Sequence, residues 1–565
     1  MDYFAQFMEK RGYSKEKLEQ MFSFSREYIK GTDEVCSYLH DLPRDTVIGL
    51  MSDFDFDGIS AGIVGYLCFH LMGFTNLRIS DRSTELGYDF TRQDIDKLGD
   101  ISVLFTSDVG ISCHDALSYA KQKGMTVIVT DHHVPDKGIL PPADYVIDGW
   151  VDPDFLKKSV EICGSYTVYH IFERYTQLYP DECDVFLCSD LELVRHFAAM
   201  ATIADSMPVL GINRYIVKEM LSFFNYLIPQ DKSLAIVEQI CHDRVLQNVY
   251  TNFCRFVNYL RGDYYSGFNM DFMNYELIPV INSIKRMEAD IGLIYRMLFG
   301  FWTEDYAEEL VRLNQRRKEL VNELFESVYE KKEGQIFDDF IYLVDCGPGI
   351  CGLLAAKIME QTQMPTVVLS IDCLDGPEGL YHTGSVRSPY DYQFMPRVNH
   401  SGFAVCKGHP HSCGITVLQS DLPDLYLFLK GDVMSITRGE VSVTIEDAED
   451  LHDVVINLGE NLYDFKNDVR DFYRQVRDLG PFGSGFPAPN ILLECDKNKL
   501  SVMDLHESHL KLCLSDKIQA MLWNHDMGSL VGTTRDNIIY LSARLSRSVY
   551  EDVSYLQFTA SPVFN

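Results

Sequence analysis

Three short acid-rich segments carry the chemistry available to this 565-residue chain. Asp53-Phe54-Asp55-Phe56-Asp57-Gly58 follows the apolar run Thr46 to Met51, Ser107-Asp108-Val109-Gly110 follows Ser102 to Thr106, and Asp131-His132-His133 follows Met125 to Thr130. Three carboxylates in one turn repel one another unless a cation neutralises them. Asp and Gly also form ordinary turns, so the first segment alone is equally well explained that way. The coincidence of all three argues for more. Each apolar run reads as a strand, and ligands of open parallel sheets bind beyond the strands' carboxyl ends, so the three turns are expected to converge on one crevice. Hard carboxylates joined by a neutral imidazole suit Mn²⁺ or Mg²⁺, with the nitrogen ligand favouring Mn²⁺.

The elements around these turns predict an α/β chain. A helix is expected from Ile59 to Leu71. Leu310, Leu313, Leu320, Leu324 and Val328 recur at helical spacing and predict a long amphipathic helix, whose basic run Arg316-Arg317-Lys318 reads as a solvated face. Beyond it a second α/β pattern begins: strand Phe340 to Val344, a Gly-rich turn from Cys346 to Gly352, helix Leu353 to Met359 and strand Pro365 to Leu369. Near the C-terminus the alternating segments Lys499 to Met503, Leu510 to Leu514, Ala520 to Asn524 and Asn537 to Leu545 fit a small β-barrel.

At this length several modules are expected, because single cores stop growing near 250–300 residues or so. Hydrophobic residues make up 46% and charged residues 24%, which places the chain among globular proteins. Met1-Asp2-Tyr3-Phe4 opens without the basic region and apolar run of a secretory signal, and no segment approaches a membrane span, so a soluble, cytoplasmic protein is expected. The 15 cysteines include no CxxC pair and no zinc-finger spacing. Cys183/Cys188 and Cys346/Cys351 suit neither a zinc knuckle nor a redox dithiol, so reduced thiols are expected. A net charge of −33 argues against tight non-specific duplex binding, while leaving room for a locally positive groove.

The Asp131-His132-His133 triplet, with Cys163-Gly164 and the stretch Ala201 to Val209 followed by Asn213-Arg214, resembles the DHH phosphoesterases and, among them, the RecJ exonucleases. Ile278 to Met287 is similar to a RecJ stretch, except that Val280 stands where that family has Arg and Lys285 where it has Gly. Gly384-Ser385-Val386-Arg387-Ser388 and the run Lys407 to Gly414 resemble the signatures of the DHH-associated domain. Gly480 to Pro489 resembles the RecJ segment leading into an OB fold, with Phe486 in place of Asn.

This resemblance implies two α/β domains, a DHH parallel-sheet domain and a DHH-associated domain, joined by a long helix and followed by a small OB-type β-barrel. The expected limits are an N-terminal helical segment at 1–45, the DHH domain at 46–210, a helical region with the connecting helix at 211–335, the DHH-associated domain at 336–435, and a linker with the OB fold at 436–565. It also implies a metal-dependent exonuclease acting on single-stranded DNA, 5′ to 3′, in DNA repair or recombination. Two divalent ions, Mn²⁺ or Mg²⁺, would be held by Asp53, Asp55, Asp57, Asp108, His132 and Asp205, of which Asp205 by itself reads only as a helix-end acid. Asp131 and His133 would orient the site or touch phosphate, completing a catalytic set with Asp108 and His132. Arg387, Ser388, Gly408 and His409 would hold the substrate's phosphates. The rival readings are a phosphodiesterase of short oligonucleotides or cyclic dinucleotides and an inactive replication scaffold. Single-stranded DNA is the expected partner, with RNA as the alternative. A single-strand-binding protein or a helicase would be the protein partner, and no membrane is implied.

Overall fold

The computed structural model describes the chain apart from residues 1, 81–88, 136–137, 229–232, 262–266, 334, 338–339, 363, 377–378, 390–393, 410, 438–448, 459–461, 506–508, 524, 533, 536, 551–552 and 564–565. Its first sheet contains β1 (Val47–Ser52), β2 (Asn76–Ile79), β3 (Val103–Ser107), β4 (Thr126–Thr130) and β5 (Tyr145–Ile147). All pairs are parallel, in the order β2-β1-β3-β4-β5. Such sheets are covered on both faces, which is why β3 is buried at every position and β1 and β4 at all but their first. Ser52 pairs with Ser107, and Ser107 with Thr130, so the three carboxyl ends are level. The next residue in each case is an acid: Asp53, Asp108 and Asp131.

One face of this sheet is covered by the helices Phe56–Leu71, Gly164–Leu178 and Val185–Ala204. The other packs on a smaller core that includes Ile95, Leu117 and Ala120. The stretch 211–300, which carries little sequence signal, supplies Met220, Phe224, Tyr250, Phe253 and Ile281 to the larger core. The helix Glu304–Phe325 leaves that core through Ala307 and Leu310 and ends with Val321 and Phe325 packed beside Ile350, Leu354 and Ile358 of the helix Pro348–Thr362. That second helix opens directly at the Gly-rich segment, earlier than the expected Leu353.

The second sheet comprises β6 (Gln335–Phe337), β7 (Ile341–Val344), β8 (Thr366–Gly376), β9 (Gly379–Arg387), β10 (Ala404–His409) and β11 (Ser412–Leu418), in the order β10-β11-β9-β8-β7-β6. Only β7 and β8 pair in parallel. A third, mixed sheet contains β12 (Val454–Asn457), β13 (Ile491–Asp496), β14 (Ser501–Leu505), β15 (His509–Ser515), β16 (Ile518–Trp523), β17 (Thr534–Arg535), β18 (Ile538–Tyr550) and β19 (Val553–Pro562). Its order is β12-β13-β18-β19-β16-β15-β14, with β17 paired to β18.

The N-terminal helix Tyr3–Lys10 belongs physically to this last core, where Tyr3 meets Phe472 edge-on at 6.1 Å and Phe7 is fully buried. Phe486 is likewise buried, against Tyr13, Phe22 and Phe482. Beside it the Arg214 guanidinium lies 3.8 Å from the centre of the Phe22 ring and donates to the carbonyls of Leu479, Gly480 and Pro481. Among the described residues no helix is long and apolar enough to cross a membrane. All 15 cysteines are free thiols.

Candidate metal centre and phosphate cradle

Local backbone chemistry aims the first three acids in different directions. Asp53 directly follows β1. Asp55 caps the next helix, its Oδ1 accepting from the N–H groups of Asp57 at 3.1 Å and Gly58 at 3.2 Å, which leaves Oδ2 to face the crevice. Asp57 reaches to the start of another helix: its Oδ2 accepts from Gly164 N–H at 2.7 Å, its Oδ1 from Ser165 N–H at 2.9 Å, and Ser165 Oγ donates to the Asp57 carbonyl at 2.8 Å. A helix N-terminus favours a carboxylate there. Gly164 has no room for a side chain, since an added Cβ would lie 2.4 Å from Asp108 Cβ. Asp108 itself has φ 61°, a left-handed conformation that Asp and Asn tolerate better than most residues.

His132 joins the groups. Its Nε2 is 3.1 Å from Asp108 Oδ1, 3.5 Å from Asp205 Oδ2 and 3.7 Å from Asp57 Oδ2. Asp205, at the end of the helix Val185–Ala204, is therefore brought to the crevice. Three overlapping sets each have potential ligand atoms within 4.8 Å of one another: Asp53, Asp55 and Asp108; Asp57, His132 and Asp205; and Asp108, His132 and His133. Asp131 is in none of them. Its carboxylate accepts from the N–H groups of Ile111, His132 and His133 at 2.9, 2.8 and 3.2 Å and lies 2.7 Å from His133 Nδ1, so it fixes the turn and the His133 ring.

The electrostatics register a shortage of positive charge. Burial, then the carboxylates of Asp57 and Asp55, push Asp108 well above the usual carboxylate range. Burial also raises Asp205, to about 7, with Asp57 and Asp55 adding to it and His132 opposing. Burial works against a charged His133, yet the hydrogen bond and charge of Asp131 raise it to about 9. His132 is raised too, as Asp205, Asp57 and Asp131 outweigh its burial. A set of hard oxygens, mutually repelling when ionised and joined by imidazole nitrogen, fits Mn²⁺ or Mg²⁺.

A cationic cluster adjoins this one. Arg286, at the end of the helix Ile278–Arg286, donates to Gly349 O at 2.9 Å. Burial first, and then the charges of Arg317 and Arg387, lower its pKa to about 10 against the opposing charge of Asp55. Arg317 is thus drawn inward, against the expected solvated face, and donates to Asn314 Oδ1 at 3.0 Å. Arg316 keeps the solvated role, paired with Glu319 and Glu323. Arg387 ends β9, where Gly352 makes room: an added Cβ there would lie 2.7 Å from an Arg387 nitrogen. Ser388 is buried, and its N–H donates to His411 O at 3.0 Å. Gly408 pairs with Cys413, which pairs with Val386, placing Gly408 about 10 Å across the sheet from β9. The side chain of His409 lies outside the described residues.

Two nearby residues were given no role in the sequence reading. Asp148, immediately after β5, is buried; its Oδ1 accepts from Trp150 N–H at 2.8 Å, and burial followed by the charge of Asp131 raises it to about 8. The strand-then-acid pattern that exposed the other turns was present here too, in only three strand residues. Lys285 places Nζ 3.3 Å from Asp53 Oδ2 and 3.3 Å from Asp55 Oδ2.

Comparison with known proteins bears on the fold. The N-terminal domain of the DHH family matches residues 47–190, and the RecJ OB domain matches residues 463–561. The single-stranded-DNA-specific exonuclease RecJ of Bacillus subtilis strain 168 is 24% identical over 87% of this chain, which spans 58% of that relative's length. The RecJ of Haemophilus influenzae is 23% identical over 84% of the chain and 79% of the relative. Among solved structures, RecJ in complex with Mn²⁺ from Thermus thermophilus has a TM-score of 0.70 at 19% identity, covering 98% of this chain and 74% of that one. Its complex with Mg²⁺ has a TM-score of 0.64 at 18% identity, covering 98% and 73%.

Proposed function

We propose that this chain, whose residues 47–190 match the N-terminal domain of the DHH family and whose residues 463–561 match the RecJ OB domain, is a divalent-metal-dependent exonuclease that hydrolyses single-stranded DNA from an end, 5′ to 3′, in the cytoplasm. The observation that carries this reading is the adjacency of two clusters: the acids and imidazole at the level ends of β1, β3 and β4, and the guanidinium groups of Arg286, Arg317 and Arg387. The first set suits cations and the second suits phosphates.

Asp55, Asp57, Asp108, His132 and Asp205 are the residues that would hold the metal, with Asp53 beside them. Bound Mn²⁺ or Mg²⁺ supplies Lewis acidity toward phosphoryl oxygens and makes water a stronger acid. Arg286, Arg317 and Arg387 bind the substrate's phosphates through charge-assisted N–H donors. His133, with 41% of its side chain exposed and its proton retained to about pH 9, presents a charged donor at the crevice mouth, held in orientation by Asp131. Gly164 keeps Asp57 and Asp108 in place by letting the helix N-terminus approach.

The test is Mn²⁺-dependent digestion of 5′- and 3′-labelled single strands, DNA and RNA in parallel, with a dinucleotide and a cyclic dinucleotide as competitors for the role of substrate. Release of mononucleotides from the 5′ end of DNA is expected. Cleavage confined to the dinucleotides would replace this reading with the short-substrate one, and no hydrolysis of any substrate would favour a scaffold.

A further inference from the structure

The cation at one half of the acid cluster is already part of the chain. Lys285 Nζ is equidistant, 3.3 Å, from an oxygen of Asp53 and an oxygen of Asp55. These are two of the three acids of the set completed by Asp108. The ammonium also lies 4.6 Å from the centre of the Phe54 ring, so the carboxylates hold it on one side and an aromatic face on the other. Its side chain is 30% exposed. The set formed by Asp57, His132 and Asp205 has its single imidazole as the only nitrogen group within it.

We infer that Lys285 is the resident counter-ion of Asp53 and Asp55, so that the centre binds one divalent ion tightly, at Asp57, Asp108, His132 and Asp205, and a second only weakly, on displacement of the lysine. The reasoning is charge arithmetic. Two carboxylates and one ammonium leave a single net negative charge, against two for the bare pair. A divalent ion using the same oxygens would sit within a few ångströms of the ammonium, well inside a Debye length, so solvent screens that repulsion only in part even though the Asp55 side chain is 36% exposed. The position is also one at which the resembled RecJ stretch has Gly, which offers no charge. Lys285 is a positioning residue here: it sets how many ions the acids accept without itself meeting the reacting atoms.

The inference rests on the metal-centre reading above, and Mn²⁺ binding to the full chain, followed by calorimetry and by the electron paramagnetic resonance of free Mn²⁺, separates the two. The wild-type chain is expected to bind one Mn²⁺ tightly and a second at least about 100-fold more weakly; Lys285→Met should bring the second affinity within about tenfold of the first, and Lys285→Arg should retain the one-ion behaviour. Folding of each variant is checked by thermal melting in EDTA. Two equivalent sites in the wild type, or an unchanged second affinity in folded Lys285→Met, would overturn the role of Lys285 while leaving the metal centre standing. Failure of every form to bind Mn²⁺ would overturn the metal centre and this inference with it.

Discussion

The carboxylate of Asp57 closes on the first two N–H groups of the helix Gly164–Leu178, Gly164 at 2.7 Å and Ser165 at 2.9 Å. That contact requires the helix to start against Asp108, where only hydrogen fits at Gly164. Gly164→Ala should therefore lower stability by roughly 1–3 kcal/mol, in the range of overpacked sites, and reduce Mn²⁺ affinity as Asp108 is pushed aside. Thermal melting and Mn²⁺ titration check it; a variant with wild-type melting and metal binding would show that the helix end shifts freely.

Asp108 holds a left-handed backbone that asparagine shares, so Asp108→Asn separates a lost ligand from a lost fold. Losing an outer partner of a metal site costs about 10–100-fold in affinity, and a direct ligand should cost at least as much. Hydrolysis is expected to disappear while the melting temperature in EDTA stays level or rises, because a neutral amide relieves the repulsion from Asp57 and Asp55. Undiminished cleavage by this variant, or by the wild type in EDTA, would sink the metal-site reading.

The arginine cluster yields a different signature. Arg317→Ala and Arg387→Ala should each reduce kcat/KM by about tenfold to a hundredfold, the worth of one charge-assisted contact at roughly 1.5–3 kcal/mol, with Mn²⁺ affinity unchanged. If Arg317→Ala leaves turnover intact, the inward turn of that side chain is a packing feature.

Acid should loosen the N-terminal segment. His170 is buried, its Nε2 accepts from Ile29 N–H at 3.0 Å, and burial lowers its pKa from 6.5 to about 3, with Arg174 adding to the effect. Between those values the unfolded chain carries a proton that the folded chain lacks. Stability is thus fully present above about pH 6.5 and falls as pH drops toward 3, by up to about 1.4 kcal/mol per pH unit from this group. His196, also lowered to about 3 by burial, contributes in the same direction, so the comparison must be between variants. His170→Gln keeps an acceptor for Ile29 and should flatten the urea-midpoint profile between pH 6.5 and 4 by one proton's worth; parallel profiles would remove His170 from the account.

Much of this site was legible because parallel strands are continuous apolar runs and the acids stand at their ends: Ser52, Ser107 and Thr130 are in register, so the acids that follow them had to meet. Asp205 lacked such a signal, being one acid at the end of a buried helix, and only the resemblance marked it. Lys285 and Arg317 sit on amphipathic helices, where a cation looks the same whether it meets water or a carboxylate. Which of these it meets depends on how the helices pack against the strand ends and the second sheet, which no local pattern encodes. For the same reason the stretch from Gly211 to Gly300 was legible as helical, but its packing into the larger core, like the placement of Tyr3 and Phe7 in the C-terminal core, was beyond periodicity alone.

The C-terminal sheet offers the test that separates a polymer exonuclease from a dinucleotide phosphodiesterase. Removing it outright is a poor experiment, since Phe486 completes an aromatic cluster with Tyr13 and Phe22, and Arg214 binds the carbonyls of Leu479, Gly480 and Pro481. A surface change is cleaner. On β15 the buried Leu510, Leu512 and Leu514 alternate with His509, Lys511 and Cys513, so the latter point outward. Trp523 pairs with His509 and is 46% exposed, its ring edge-on to the imidazole at 5.1 Å, while Lys511 pairs with the 49% exposed Met503 and its ammonium lies 5.7 Å from the Tyr555 ring centre. Aromatic rings beside a cation are what a base stack and its phosphate would use. Trp523→Ala should weaken binding of a long single strand by about fivefold to more than a hundredfold, the equivalent of roughly 1–3 kcal/mol per stacked base, and slow its degradation in proportion. A dinucleotide, short enough to occupy only the crevice, should be cut at the wild-type rate. Binding is read by fluorescence anisotropy of a labelled strand and cleavage by steady-state rates on both substrates. Equal losses on the two would mean that Trp523 supports the fold, and no loss on the long strand would place strand tracking on another face of the molecule.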